Sequence, residues 1–290
     1  MGKKWDLESP LNFVGHSFGG ETIRLLASLL AYGDETEMNA DKENCSELFK
    51  GGHEKGVRSI VTISSPHNGS TVSNYVSDTV FPAFLMIFLL HSMSVSGNSN
   101  NDLMLDQWGI TKDPVSGEKE KLNPRACLKL ALSNDHCGYD LTVQGAEKLN
   151  QKIKPVKSAY YFSYTACITE DAKFGYQKIN KDYDPFLPFR LSSVLISASV
   201  NVFLGGKFID KSWGANDGIV PLKSALYPFG EDHITYESGR DIIPGVWYVM
   251  PTVYGADHYD FCNAADEKAF GSRQGFFDFY TELSELICSI

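Results

Sequence analysis

The stretch VGHSFGG (Val14–Gly20) decides how the rest of the chain is read. Before it stands the mostly apolar run Leu11-Asn12-Phe13-Val14. After it, Glu21-Thr22-Ile23-Arg24-Leu25-Leu26-Ala27-Ser28-Leu29-Leu30 places Ile23, Leu26 and Leu30 on one helical face. The pattern predicts a short buried strand, a sharp turn at Ser17 and a helix. A serine in such a turn sits in a strained backbone conformation that holds its hydroxyl above the sheet. Side chains two positions before and after it would clash, which Gly15 and Gly19 are expected to avoid. Gly20 is expected to let the new helix pack closely. An ordinary glycine-rich turn has similar composition, but the strand before and the helix after favour Ser17 as a nucleophile.

The whole chain supports an α/β fold with a mostly parallel central sheet. Val57–Ile63 is β-branched and ends in the loop Ser64-Ser65-Pro66-His67-Asn68-Gly69. Further strands are predicted at Ala159–Thr165 and Gly245–Met250, and a short polar-capped helix over Tyr139–Leu149. A C-terminal helix would turn Phe276, Phe279, Tyr280, Leu283, Leu286 and Ile287 to the core. Strands alternating with helical patterns give a parallel sheet. Hydrophobic residues make up 43% of the 290, enough for a substantial core, and the net charge of −10 disfavours nucleic acid and anionic membranes as partners. No run reaches the roughly 18 apolar residues of a membrane span; the longest is Val80–Leu90. Met1-Gly2-Lys3-Lys4 reads neither as a signal peptide nor as a myristoylation signal. The six cysteines show no CxxC spacing, so disulfides and buried thiols both stay open. Asn44 and Asn68 open formal glycosylation sequons.

A serine nucleophile needs a base, and the base needs a carboxylate that holds its tautomer. In folds that use this elbow the order is serine, acid, histidine. Of seven histidines, His16 lies inside the elbow and points away from the neighbouring hydroxyl, and His53, His67, His91 and His136 precede the later strands. His233 sits in the charged segment Glu231-Asp232-His233 and reads as a solvated side chain. His258 follows the strand at 246–250, in a loop where catalytic residues belong, and is preferred. Asp217, in Asn216-Asp217-Gly218-Ile219-Val220-Pro221, could aim its carboxylate inward through the tight turn that Gly218 allows. An ordinary Asn-Asp-Gly turn is the competing reading of that stretch.

Together these residues resemble the staphylococcal and bacillary true lipases, which are secreted α/β-hydrolases. The matching stretches are FVGHSFGGETIRLL (Phe13–Leu26), VRSIVTISSPHNGST (Val57–Thr71), LDQWG (Leu105–Gly109), YDLTVQGAEKLN (Tyr139–Asn150), NDGIV (Asn216–Val220) and Asp257-His258. They lie in the family's order over most of the chain. The resemblance implies an α/β-hydrolase fold with Ser17 as nucleophile, Asp217 as acid, His258 as base and the Phe18 N–H as an oxyanion donor. It implies one domain over 1–290 with a lid-like insertion at about 70–105, where the 80–90 run falls. Calcium is the family's metal beside the histidine; Asp260 matches one carboxylate, and Asp266, one residue off the family spacing, supplies the other. A zinc ion would take Asp140, but its other ligands come from a region upstream of the elbow, so zinc is not expected. No organic cofactor is implied. Glu21 departs from the glutamine usual in the family.

Only sixteen residues precede Ser17, so the chain reads as an N-terminally incomplete member of the family, its first strands and first oxyanion loop missing. Loss of one oxyanion donor lowers rates by about a hundred- to a thousandfold, and the strand at 11–15 is expected to present an unpaired edge. The expected activity is hydrolysis of water-insoluble carboxylic esters at a lipid–water interface by a triacylglycerol lipase acting outside the cell. A soluble short-chain carboxylesterase and a non-catalytic lipid-binding relative are the alternatives.

Overall fold

A computed structural model describes residues 9–77, 133–263 and 269–290. The expectations for the 80–90 run and most of the 70–105 insertion, for Leu105–Gly109 and for Asp266 lie outside these residues. The centre is a five-stranded sheet of β1 (Leu11–His16), β2 (Val57–Ile63), β3 (Tyr160–Tyr164), β4 (His233–Thr235) and β5 (Trp247–Val249), in the order β1-β2-β3-β5-β4. All four pairings are parallel. β2 and β3 are buried on both faces, which is why β2 carries the continuous β-branched run Ile60–Ile63.

Successive residues of these strands feed two different cores. Ile60, Tyr161 and Trp247 face α1 (Phe18–Tyr32), packing with Ala27 and Ala31. Val61, Ile63, Phe162 and Tyr248 face the other way, against Leu283 and Ile287 of the C-terminal helix Arg273–Ser289. Phe279, Tyr280 and Leu286 pack on the margin of that second core, so the predicted C-terminal stripe holds except at Phe276, which packs on the Phe270 and Tyr280 rings instead. β1 pairs only with β2 among the described strands, and Val14 is 45% exposed on it.

The apolar stripe predicted for α1 is corrected. Its buried face is Gly20, Glu21, Arg24, Ala27, Ser28 and Ala31, while Ile23 and Leu30 pack only partly buried at the side. Small side chains let the helix lie close over β2: a Cβ on Gly20 would run into the Ser65 side chain. The predicted helix at Tyr139–Leu149 is two pieces, Cys137–Asp140 and α2 (Val143–Lys152). Thr142 separates them because its hydroxyl accepts the Gly145 N–H at 3.0 Å and caps the second helix. Helix α3 (Leu187–Ala198) and strand β4 have no counterpart in the sequence pattern read above. Cys45, Cys137, Cys167, Cys262 and Cys288 are free thiols. Asn68 is buried and donates to the Ser224 and Tyr227 carbonyls, so its sequon is not on the surface.

Candidate active site

Ser17 stands between β1 and α1 at φ 56°, ψ −133°, a left-handed conformation that a non-glycine residue adopts only under constraint. Its own N–H donates to the Ile63 carbonyl at 2.8 Å, which ties the elbow to the end of β2. Gly15 is required, since a Cβ there would overlap the Gly19 carbonyl. Gly19 is not: a Cβ on it meets nothing within 4 Å, which corrects the symmetric clash expected from the motif. Of the two motif glycines, the one on the strand side is tightly enclosed and the one on the helix side faces open space.

Asp217 and His258 meet Ser17 from the far end of the chain. Asp217 is 1% exposed, and its Oδ1 accepts the N–H groups of Ile219 at 2.9 Å and Val220 at 2.7 Å. That leaves Oδ2 for the His258 Nδ1–H at 2.8 Å. The other ring nitrogen, Nε2, lies 2.8 Å from Ser17 Oγ and accepts its hydroxyl proton. Backbone bonds hold the arrangement, with the His258 N–H donating to the Asp217 carbonyl at 2.9 Å. Gly218, at φ 100°, makes the turn that Asp217 needs. Asn216 stabilises it from inside, donating to the Gly214 carbonyl at 2.7 Å and accepting the Gly218 N–H at 2.9 Å. Helix α3 closes one side: the Phe189 ring meets His258 edge-on at 6.2 Å, and the Ser192 hydroxyl bonds the Gly218 carbonyl. Phe18 opens α1, so its N–H is one of those an α-helix leaves without an internal partner.

His233 is exposed at the sheet edge and stacks on Tyr227 at 3.5 Å, apart from this grouping. His16, set aside as a base, lies against His258 with ring centroids 4.8 Å apart. Behind the elbow is a buried polar cluster that the sequence reading did not foresee. Arg24 donates to Asn150 at 3.0 Å, to His67 Nδ1 at 3.3 Å and to Glu231 at 3.3 Å. Glu231 also accepts the Trp247 indole N–H at 2.7 Å. Glu21, 2% exposed, faces this cluster, and burial pushes its carboxyl up to about 8. Burial, reinforced by the Arg24 charge, holds His67 well below the ordinary histidine value. The only sequence signal for the cluster is the charged pair Glu21 and Arg24 inside an otherwise apolar helix.

Of the expected calcium carboxylates only Asp260 falls among the described residues. No group of three His, Cys, Asp or Glu side chains converges among them. Asp260 accepts the Asp257 N–H at 2.6 Å through Oδ2, and Asp257 is held in turn by the N–H groups of Tyr259 and Phe186. This loop is knitted by its own backbone. Asp140, half-buried, has its carboxyl raised by burial, with His136 and Lys152 acting in the opposite sense.

A family model described as "Lipase-like, C-terminal domain" matches residues 1–289. The chain is 33% identical over 293 residues to a lipase of Staphylococcus hyicus, covering 99% of this chain and 43% of that protein. It is 32% identical over 287 residues to Lipase 1 of Staphylococcus aureus, covering 98% of this chain and 40% of the relative. The chain therefore spans less than half the length of these curated relatives. The crystal structure of Staphylococcus hyicus lipase superposes with a TM-score of 0.79 at 32% identity, over 96% of this chain and 69% of that one. EstA from Clostridium botulinum gives 0.76 at 29% identity, over 97% and 66%.

Proposed function

The chain belongs to the family of lipase-like C-terminal domains, and from that premise we propose that it is a serine-dependent carboxylic ester hydrolase, acting as a triacylglycerol lipase within a single α/β-hydrolase domain. One observation carries the reading: a hydroxyl, an imidazole and a carboxylate in sequence, with 2.8 Å at both links. Ser17 Oγ attacks the ester carbonyl carbon as its proton passes to His258 Nε2. Asp217 holds the ring in the tautomer that can accept this proton, and its charge stabilises the imidazolium that forms. The developing oxyanion is received by the Phe18 N–H at the positive end of α1. When the tetrahedral intermediate collapses, His258 returns the proton to the departing alcohol, leaving an acyl group on Ser17. Water, activated by the same imidazole, then releases the acid.

Support for a water-insoluble ester comes from α3. Its inner face holds Phe189 and Ser192 against the site. Its outer face exposes Leu187, Leu191, Val194 and Leu195, spaced as one helical stripe. Such a stripe beside the site fits contact with a lipid surface. Action outside the cell, where ester droplets are met, belongs to the same reading.

The test is hydrolysis of p-nitrophenyl esters from C2 to C16 by the chain and by Ser17→Ala. Activity that disappears in the variant and rises with acyl length supports the lipase. Serine-dependent activity restricted to the shortest esters makes it a soluble esterase. A folded chain that neither turns over nor reacts with a phosphonate sinks the catalytic reading.

A further inference from the structure

Two consecutive elbow side chains reach the same distant residue. Ser17 Oγ bonds the ring of His258, and His16 Nε2 lies 2.8 Å from the His258 carbonyl oxygen. A carbonyl only accepts, so the hydrogen of the His16 ring is on Nε2. Its Nδ1 is then an acceptor, and the Cys262 thiol, 3.3 Å away, donates to it. Burial and the adjacent His258 lower the His16 pKa, in keeping with a neutral ring of that single tautomer.

The backbone of His258 is consequently gripped at both polar groups. Its N–H is held by the Asp217 carbonyl at 2.9 Å. Its carbonyl is held by His16, the residue covalently joined to Ser17. We infer that His16 is a positioning residue of the ester-hydrolysing site, its Nε2–H fixing the separation between the Ser17 hydroxyl and the His258 ring. The inference rests on the reading of Ser17 and His258 given above. The physical reason is geometric. The peptide that carries Ser17 is strained and cannot adapt, so proton transfer depends on how well the opposite loop is located. Misplacing reacting groups by about 1 Å can lower a rate a hundredfold.

Glutamine can place an amide N–H near the position of histidine Nε2–H; leucine fills similar volume with no donor. The experiment compares wild type with His16→Gln, His16→Leu, His16→Ala and Ser17→Ala. It reads kcat and KM on a short soluble ester, the rate of phosphonate labelling at Ser17, and near-ultraviolet circular dichroism. Leucine and alanine are expected to lower kcat and the labelling rate by roughly tenfold or more, with KM little changed and the spectrum intact. Glutamine is expected to restore most of the loss. If leucine does not fold, the alanine–glutamine comparison decides. Labelling by a folded, donor-free variant within about twofold of wild type would overturn the inference, as would a folded glutamine variant as slow as leucine. A Ser17→Ala protein that still hydrolyses the ester and takes the label would instead remove the reading beneath it.

Discussion

Glu21 Oε1 lies 3.4 Å from His67 Nδ1, and both side chains are buried. The charged groups around them are Arg24, one turn along α1, and Glu231 from the segment before β4, which pairs with Arg24 at 3.3 Å. That pair is already neutral, and the Arg24–His67 bond uses the Nδ1 lone pair. An ionised Glu21 would add an uncompensated buried charge. The folded protein therefore keeps one proton on Glu21 and none on His67.

The pH dependence follows by counting protons. Unfolded, Glu21 titrates near 4.5 and His67 near 6.5; folded, Glu21 titrates near 8 and His67 well below 6.5. Just below 6.5 the unfolded chain takes up a proton on His67 that the folded chain, with His67 held well below that value, does not. Above 6.5 the unfolded chain holds none while the folded one keeps its proton until about 8, so stability falls as pH rises. Over that window the loss is on the order of 2 kcal/mol. In Glu21→Gln the folded chain holds no proton, so stability falls below 6.5 and is level above it. Calorimetry at pH 5.5 and 8 should show the variant gaining on wild type at the higher pH. Parallel melting curves at the two values would refute the single-proton pair.

Asp217→Asn keeps an oxygen for the Ile219 and Val220 amides but presents an amide to His258 Nδ1. The ring is then driven to the tautomer with hydrogen on Nε2, which cannot accept the Ser17 proton. A fall in kcat of about a thousand- to ten-thousandfold is expected, with thermal stability nearly unchanged. Stopped-flow acylation measures it; a loss under tenfold would remove Asp217 from the role.

The two motif glycines should respond oppositely to alanine. Gly15→Ala forces a methyl into the Gly19 carbonyl, and a loss of about 3 kcal/mol or more is expected, read by urea unfolding. Gly19→Ala meets open space inside α1 and should stabilise by about 0.5–1 kcal/mol. Equal effects at both positions would contradict the one-sided elbow.

The stripe on α3 predicts a split between substrates. Leu191 is 67% exposed on its outer face, and its apolar side chain takes no part in the hydrogen bonds that join Ser17, His258 and Asp217. Leu191→Asp should lower hydrolysis of emulsified triacylglycerol about tenfold by opposing burial of the stripe in lipid. Activity on a dissolved acetate ester should stay within about twofold. An equal fall on both substrates would argue against an interfacial role.

What the sequence determined by itself is local. The elbow, its strand and its helix follow from residues 11–30, because backbone sterics and side-chain periodicity act between near neighbours. β2 is legible because burial on both faces favours β-branched side chains, and Ile60–Ile63 supplies four in a row. Asp217 and His258 were named from chain order and resemblance, and the structure brings both to Ser17. Other features depend on which distant segments the parallel sheet brings together. The residues around Arg24 come from four separate segments, containing His67, Asn150, Glu231 and Trp247, and no short window contains that pairing. Strand β4, with three residues, is too short to show a period, and α3 is apolar around most of its circumference, so neither announces itself. The polar face of α1 reads as a defect in an amphipathic helix until the fold supplies its partners. Tertiary structure decided these points because a buried charge is tolerated only where the completed fold satisfies it.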